Sequence, residues 1–181
     1  MYYPFFYDST YILVLIGVVI SMIASAKLNS TYQRYSSVRS MCGLTGAEVA
    51  QKLLNNQGIY DVTVRRVAGN LTDHYDPRTK TVNLSDSVYG STSIAAIGVA
   101  AHECGHAMQD ASDYSPLRIR AALVPAANLG SSLAWPLILI GLLLGGGGST
   151  LAGIGILLFS LAVLFQLVTL PVEYNASHRA V

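Results

Sequence analysis

Two histidines four residues apart, with a glutamate between them, stand in the stretch AAHECGHAMQ at residues 100–109. On a helix, residues four apart share a face, so His102 and His106 aim their imidazoles at one point from successive turns. Neutral imidazole nitrogens suit zinc at about 2.0–2.1 Å. Glu103 sits beside them, placed to take a proton from an attacking water and hand it on to a leaving group. This is the zincin signature. So short a pattern also arises by chance around ordinary surface or core histidines. Here the uncharged Cys104 and Gly105 and the helical run before them favour a metal site. The signature supplies two metal ligands, and a catalytic zinc needs a third from the protein.

Asp110 continues the four-residue series, but eight residues of helix separate it from His102, about 12 Å at 1.5 Å each. One ion cannot span that, so Asp110 reads as a solvated helix end. A metzincin would place Gly at 109 and His at 112, where this chain has Gln109 and Ser112. An intramembrane zinc protease would bury the signature in a full span and add an Asp-Gly ligand. The apolar run before His102 is too short for that, and the chain has no Asp-Gly. After Asp113 one acidic residue remains, Glu173 in LPVEYNASHRA. It is the expected third ligand. His178 is its rival as the only later histidine, although Arg179 beside it suits a headgroup-facing position.

These residues must be carried by something, and the composition says what. The 181 residues are 52% hydrophobic and 12% charged, with a positive mean hydropathy. Soluble domains carry about 25% charge, so the chain reads as a membrane protein with the lipid bilayer as a partner. A net charge of +1 gives no reason to expect nucleic acid. Cys42 and Cys104 form no disulfide framework, which fits a reduced, cytoplasm-facing domain. Cys104 reads as a small apolar filler.

Three apolar stretches are candidate spans: residues 11–28, 121–148 and 150–172. The later two are long enough for a hydrocarbon core of about 30 Å. The first can lengthen into its aromatic flank, Tyr2, Tyr3, Phe5, Phe6 and Tyr7, of a kind that favours the membrane interface. Residues 1–10 contain no Lys or Arg and carry Asp8. A cleaved signal peptide wants a positive leader, so span one reads as an uncleaved anchor. Lys27, Arg34 and Arg39 follow that span. Arg118 and Arg120 precede the second, and Arg179 follows the third. All fall on one side, which the positive-inside rule makes cytoplasmic. The N-terminus is then outside. Residues 29–120 and the tail 173–181 are inside, and the hairpin of spans two and three returns Glu173 to the side of His102 and His106. Asn128 and Gln166 within the spans could pair between helices or between subunits.

Residues 29–120 read as folded. Thr45–Glu48 is a capping box opening a helix that Gly58 closes. DVTVRRV alternates like a strand, with Val62, Val64 and Val67 inward. KTVNLS is a second strand, with turn chemistry in DPRTK before it. A helix then begins at Ser91 or Ser93 and carries the signature. The fold class is α+β, a zincin-like helix with a small antiparallel sheet, combined with three transmembrane helices.

Together, LTDHYDP at residues 71–77, AAHECGHAMQ and LPVEYNASHRA resemble the bacterial neutral zinc metallopeptidases of the YugP-like group. The resemblance covers nearly the whole chain. It implies a multi-pass protein of the bacterial cell membrane with a cytoplasmic zincin-like domain, and by analogy a zinc endopeptidase acting on protein or peptide substrates. It also implies an acidic residue at 175 and, as in related glutamate-ligand zincins, an Asp at 177; this chain has Asn175 and Ser177. It further implies a chain that runs beyond Val181. His74 or Tyr75, in the first motif, could donate to the oxyanion of a tetrahedral intermediate, or His74 could simply cap its own turn. By analogy with zincins, the KTVNLS strand lies over the cleft and pairs with substrate. The departures at 175 and 177 leave room for a second reading, a non-catalytic membrane scaffold with a structural zinc.

Overall fold

A computed structural model describes residues 10–181. The expected N-terminal segment and its aromatic flank lie, apart from Thr10, outside the described residues. The elements run α1 (Thr10–Ser36), α2 (Gly46–Asn56), β1 (Thr63–Val67), β2 (His74–Asp76), β3 (Thr81–Ser85), α3 (Asp86–Tyr89), α4 (Ile94–Ala111), α5 (Ser115–Leu143) and α6 (Ser149–Arg179), with a 3-10 turn at Gly145–Gly148. The protein is mostly helical with a three-stranded sheet, an α+β fold.

Local chemistry explains the starts and stops. Thr45 accepts from the Glu48 backbone N–H while the Glu48 carboxylate accepts from the Thr45 backbone, which closes the capping box of α2. At the other end Gly58, with φ +71, takes the left-handed position. There Ile59 N–H donates to Leu54 and Gly58 N–H to Asn55, so two free carbonyls are satisfied. Ser93 is the cap of α4, accepting from the Ala96 N–H.

The sheet expected as antiparallel is mixed. Its order is β1-β3-β2, with β1 parallel and β2 antiparallel to β3. The chain reverses twice between β1 and β3, once before His74 and once at Asp76–Lys80, so β3 again runs in the β1 direction. Asp76 organises the second reversal, its carboxylate accepting from Arg78 N–H at 2.9 Å and from the Thr79 hydroxyl at 2.8 Å. Asp73 ties the other end, accepting from the Ser85 N–H and hydroxyl at 2.7 and 2.9 Å. All five residues of β3 are buried. Val82 and Leu84 pack with Ala50 and Leu54 of α2 and Ala100, Cys104 and Ala107 of α4 into one core. Cys104 is the small filler expected, fully buried, with its thiol against the Ala50 carbonyl and its pKa pushed up to about 12 by burial.

Helices α1, α5 and α6 are long and apolar enough to cross a membrane. α1 buries none of its residues. α5 and α6 form a hairpin through small residues, as helices do where no water drives their association. A β-carbon on Gly130 would sit 3.0 Å from the Leu158 carbonyl oxygen, and one on Gly155 would sit 2.9 Å from that of Ala134. The helices outrun the expected boundaries. α1 continues to Ser36, and α5 begins at Ser115, before the expected start of its span. α6 runs unbroken to Arg179, so Glu173 stands on a helix rather than in a tail.

Candidate metal centre

α4 and α6 meet at the signature. Gly105 makes this possible: a β-carbon there would overlap the carbonyl oxygen of Ala176 on α6 and lie 2.9 Å from its carbonyl carbon. One turn from Ala176, Glu173 enters the face made by His102 and His106. Its Oε2 is 3.1 Å from His102 Nε2 and 3.4 Å from His106 Nε2. The three ligand-type atoms all lie within 4.8 Å of one another.

The far sides of both rings are held. Gln109 Nε2 donates to the Val172 carbonyl at 2.7 Å and to Asn175 Oδ1 at 3.0 Å. A carbonyl can only accept, so the amide orientation is fixed, and Gln109 Oε1 accepts from His106 Nδ1–H at 3.0 Å. His106 therefore turns its Nε2 toward the Glu173 carboxylate, with Nδ1 held by Gln109. Two imidazole nitrogens and a carboxylate oxygen turned toward one point are a donor set that fits a metal ion. His102 Nδ1 is hydrogen-bonded to Ser177 Oγ at 3.0 Å. Thus Asn175 and Ser177 stand where the resemblance implied carboxylates: Ser177 bonds His102, and Asn175 fixes Gln109.

Glu103 lines the same face and is buried. Burial raises its carboxyl above the ordinary glutamate value, against the pull of His106 and His102 and of the Tyr75 backbone N–H. A cleft of about 440 Å³ opens over these groups, between β2 with its turn and Leu117, Arg120, Ala121 and Val124 of α5. Arg120 places Nη2 3.4 Å from Glu173 Oε1, and its Nε is buried without a hydrogen-bond partner among the described residues.

Other expected site residues are placed differently. His74 lines the cleft, but both ring nitrogens are engaged. Nδ1–H donates to the Thr72 carbonyl at 2.8 Å, and Asn83 Nδ2 donates to Nε2 at 3.2 Å. The neutral ring has no free N–H for an oxyanion. The Tyr75 hydroxyl is committed to Asp110 at 2.7 Å, and the Lys80 ammonium reaches the same oxygen at 2.6 Å. Asp110 is therefore an anchor for the β2–β3 hairpin, not a solvated helix end. Burial alone would raise its pKa, but Lys80 and Tyr75 outweigh burial and lower it. His178 is exposed on α6, outside the cluster. β3 is the central strand, so its backbone is paired on both sides, and the edge bordering the cleft belongs to β2. Arg120 went unrecognised in the sequence because it read as a membrane-flanking charge. Its signal was there: it is the lone charge in the apolar stripe Leu117, Ala121, Val124.

The structure thus sets a helix-borne histidine pair against a glutamate in a chain with three membrane-length helices. Residues 10–181 match the family described as "Putative neutral zinc metallopeptidase", and the chain belongs to that family. It is 50% identical over 161 residues to the "Putative membrane protease YugP" of Bacillus subtilis (strain 168), which covers 89% of this chain and 71% of that relative. No solved structure matches the chain.

Proposed function

We propose that the protein is a zinc-dependent endopeptidase of the bacterial cell membrane, with zinc held by His102, His106 and Glu173. The observation that carries this is the convergence of His102, His106 and Glu173, whose ligand-type atoms lie within 4.8 Å of one another while Gln109 holds His106 from its far side. Zinc bound there would acidify water and polarise a peptide carbonyl. Glu103 takes the proton of the attacking water and delivers it to the leaving amine. Its buried position, with the pKa raised, suits a group that must both accept and return a proton. Arg120, in the cleft wall beside Glu173 and with donors to spare, is placed to face the negative charge that develops on the carbonyl oxygen. The edge of β2 offers backbone groups for an extended substrate. The Lys and Arg that flank the spans support a site at the cytoplasmic face and an N-terminus outside.

Glu103→Gln tests the mechanism. The variant should retain zinc and lose proteolysis of a fluorogenic peptide by several orders of magnitude. Retained zinc with undiminished proteolysis would overturn the role of Glu103.

A further inference from the structure

A second cavity, about 480 Å³, opens along the signature helix toward its N-terminus, between α4 and α1. Leu28 and Tyr32 of α1, Ile94 and Val99 of α4, and Leu71 form its apolar walls. It ends at His102, Glu103 and Asp73, which also line the first cleft, so the two cavities meet at the proposed catalytic residues. Asp73 is occupied by Ser85. The cavity therefore offers an incoming chain apolar surface up to the reacting groups.

Gly98 forms the floor. It lies in the interior of α4, one turn before His102, where glycine is the poorest helix former after proline. A β-carbon there would meet nothing within 4 Å, so no close packing requires the glycine. What it does is keep the space above it open. The α1 residues in the wall begin at Leu28, after Lys27, at the end of the expected span. The groove runs from there to the proposed catalytic residues, which favours a polypeptide side chain over an acyl chain.

We infer that this groove receives a large apolar side chain of the substrate next to the scissile bond, so that the enzyme selects a residue of Leu, Met or Phe size there. The inference rests on the peptidase reading above and names its substrate class. A substrate with Ala or Ser at that position leaves the groove wet and forfeits the burial.

The test uses the full chain in nanodiscs, loaded with zinc, and a peptide library varied around the cleaved bond, with products read by mass spectrometry. The wild type should cut beside Leu, Met or Phe with kcat/KM about 30-fold above the Ala and Ser peptides. Gly98→Leu, which fills the groove, should reduce that preference to about threefold by raising KM for large residues. Zinc content should not change. Gly98→Ala should fall between. Anisotropy binding of the same peptides to Glu103→Gln protein, with and without Gly98→Leu, reads the groove without turnover. Selective binding without cleavage in the wild type would keep the groove and sink the peptidase reading. Absence of an apolar preference, a Gly98→Leu variant that keeps it or slows all peptides alike, or loss of a co-purified lipid with the preference intact would each overturn the inference.

Discussion

Adding one methyl group to Gly105 should separate α6 from the histidine pair. The β-carbon would lie 2.9 Å from the Ala176 carbonyl carbon and overlap its oxygen. Carbon atoms in contact prefer about 3.5–4.0 Å, so the carbon contact alone demands about 0.6 Å of separation and the oxygen overlap brings the total to about 1 Å. Both partners are backbone, and no side chain can swing aside. Glu173 stands one turn away on the same helix. A zinc–oxygen bond of about 2.0–2.2 Å does not survive such a displacement intact, and rotamer adjustment recovers only part of it. Gln109, which fixes His106, also draws on α6 through Val172 and Asn175 and loosens with it. Disturbing such supporting contacts alone weakens metal binding about 10–100-fold, so Gly105→Ala should lower zinc affinity by about 100-fold or more. Competition against a chromophoric chelator measures this on protein in nanodiscs, with circular dichroism to check that the helices persist. Gly98→Ala, on the same helix but in open space, is the control and should bind zinc normally. Zinc affinity within twofold of the wild type in folded Gly105→Ala protein would refute the claim that this approach sets the third ligand.

Three further outcomes follow from the same geometry. Gln109→Leu removes the acceptor of His106 Nδ1–H and should weaken zinc about 10–100-fold; unchanged affinity in the chelator assay would show that His106 needs no such partner. Arg120→Gln should lower kcat about 100-fold with KM and zinc content retained, whereas an equal loss in zinc content would make it a ligand-positioning residue instead. Asp110→Asn tests the hairpin anchor through pH. The Asp110 pKa is lowered in the folded state, so its stabilisation is complete above the unfolded value of about 3.9 and disappears as pH falls through the lower folded value. The wild type should be more stable at pH 7, by about 1 kcal/mol for a partly exposed pair, and thermal melts of the two proteins should converge on acidification; a gap that does not shrink as pH falls below the unfolded value would contradict this.

What could be read from the chain alone was mostly local. The Thr45–Glu48 box, the Ser93 cap and the stop at Gly58 depend on neighbours within a few residues, and the structure has each of them. The histidine pair is legible for the same reason, since helical spacing fixes its direction. Glu173 came within reach by elimination, because a single carboxylate remained after Asp113. The partners of the histidines were not legible. Gln109 and Ser177 act only once α6 docks on α4, and no spacing in the sequence encodes that contact. Gly105 did lie inside the signature, but nothing local says that a carbonyl from residue 176 will rest on it. Asp110 looked solvated because its partners, Tyr75 and Lys80, come from a hairpin whose strand order could not be read. That order follows from two reversals of the chain, and only the second carried recognisable turn residues.

The docking of α6 on α4 therefore joins two kinds of chemistry. The contacts that make it include the Gly105–Ala176 approach and the Gln109 bridge to Val172 and Asn175. The groups it completes are His102, His106 and Glu173. Any ion held by all three binds only the docked arrangement and so favours it, by about 2.7 kcal/mol at a free concentration one hundred times Kd. Reciprocity then requires that whatever loosens the docking of α6 on α4 also weakens such an ion by the same factor. Because α6 is at once a membrane-length helix and the carrier of Glu173, a change in its packing reaches the three-residue cluster directly.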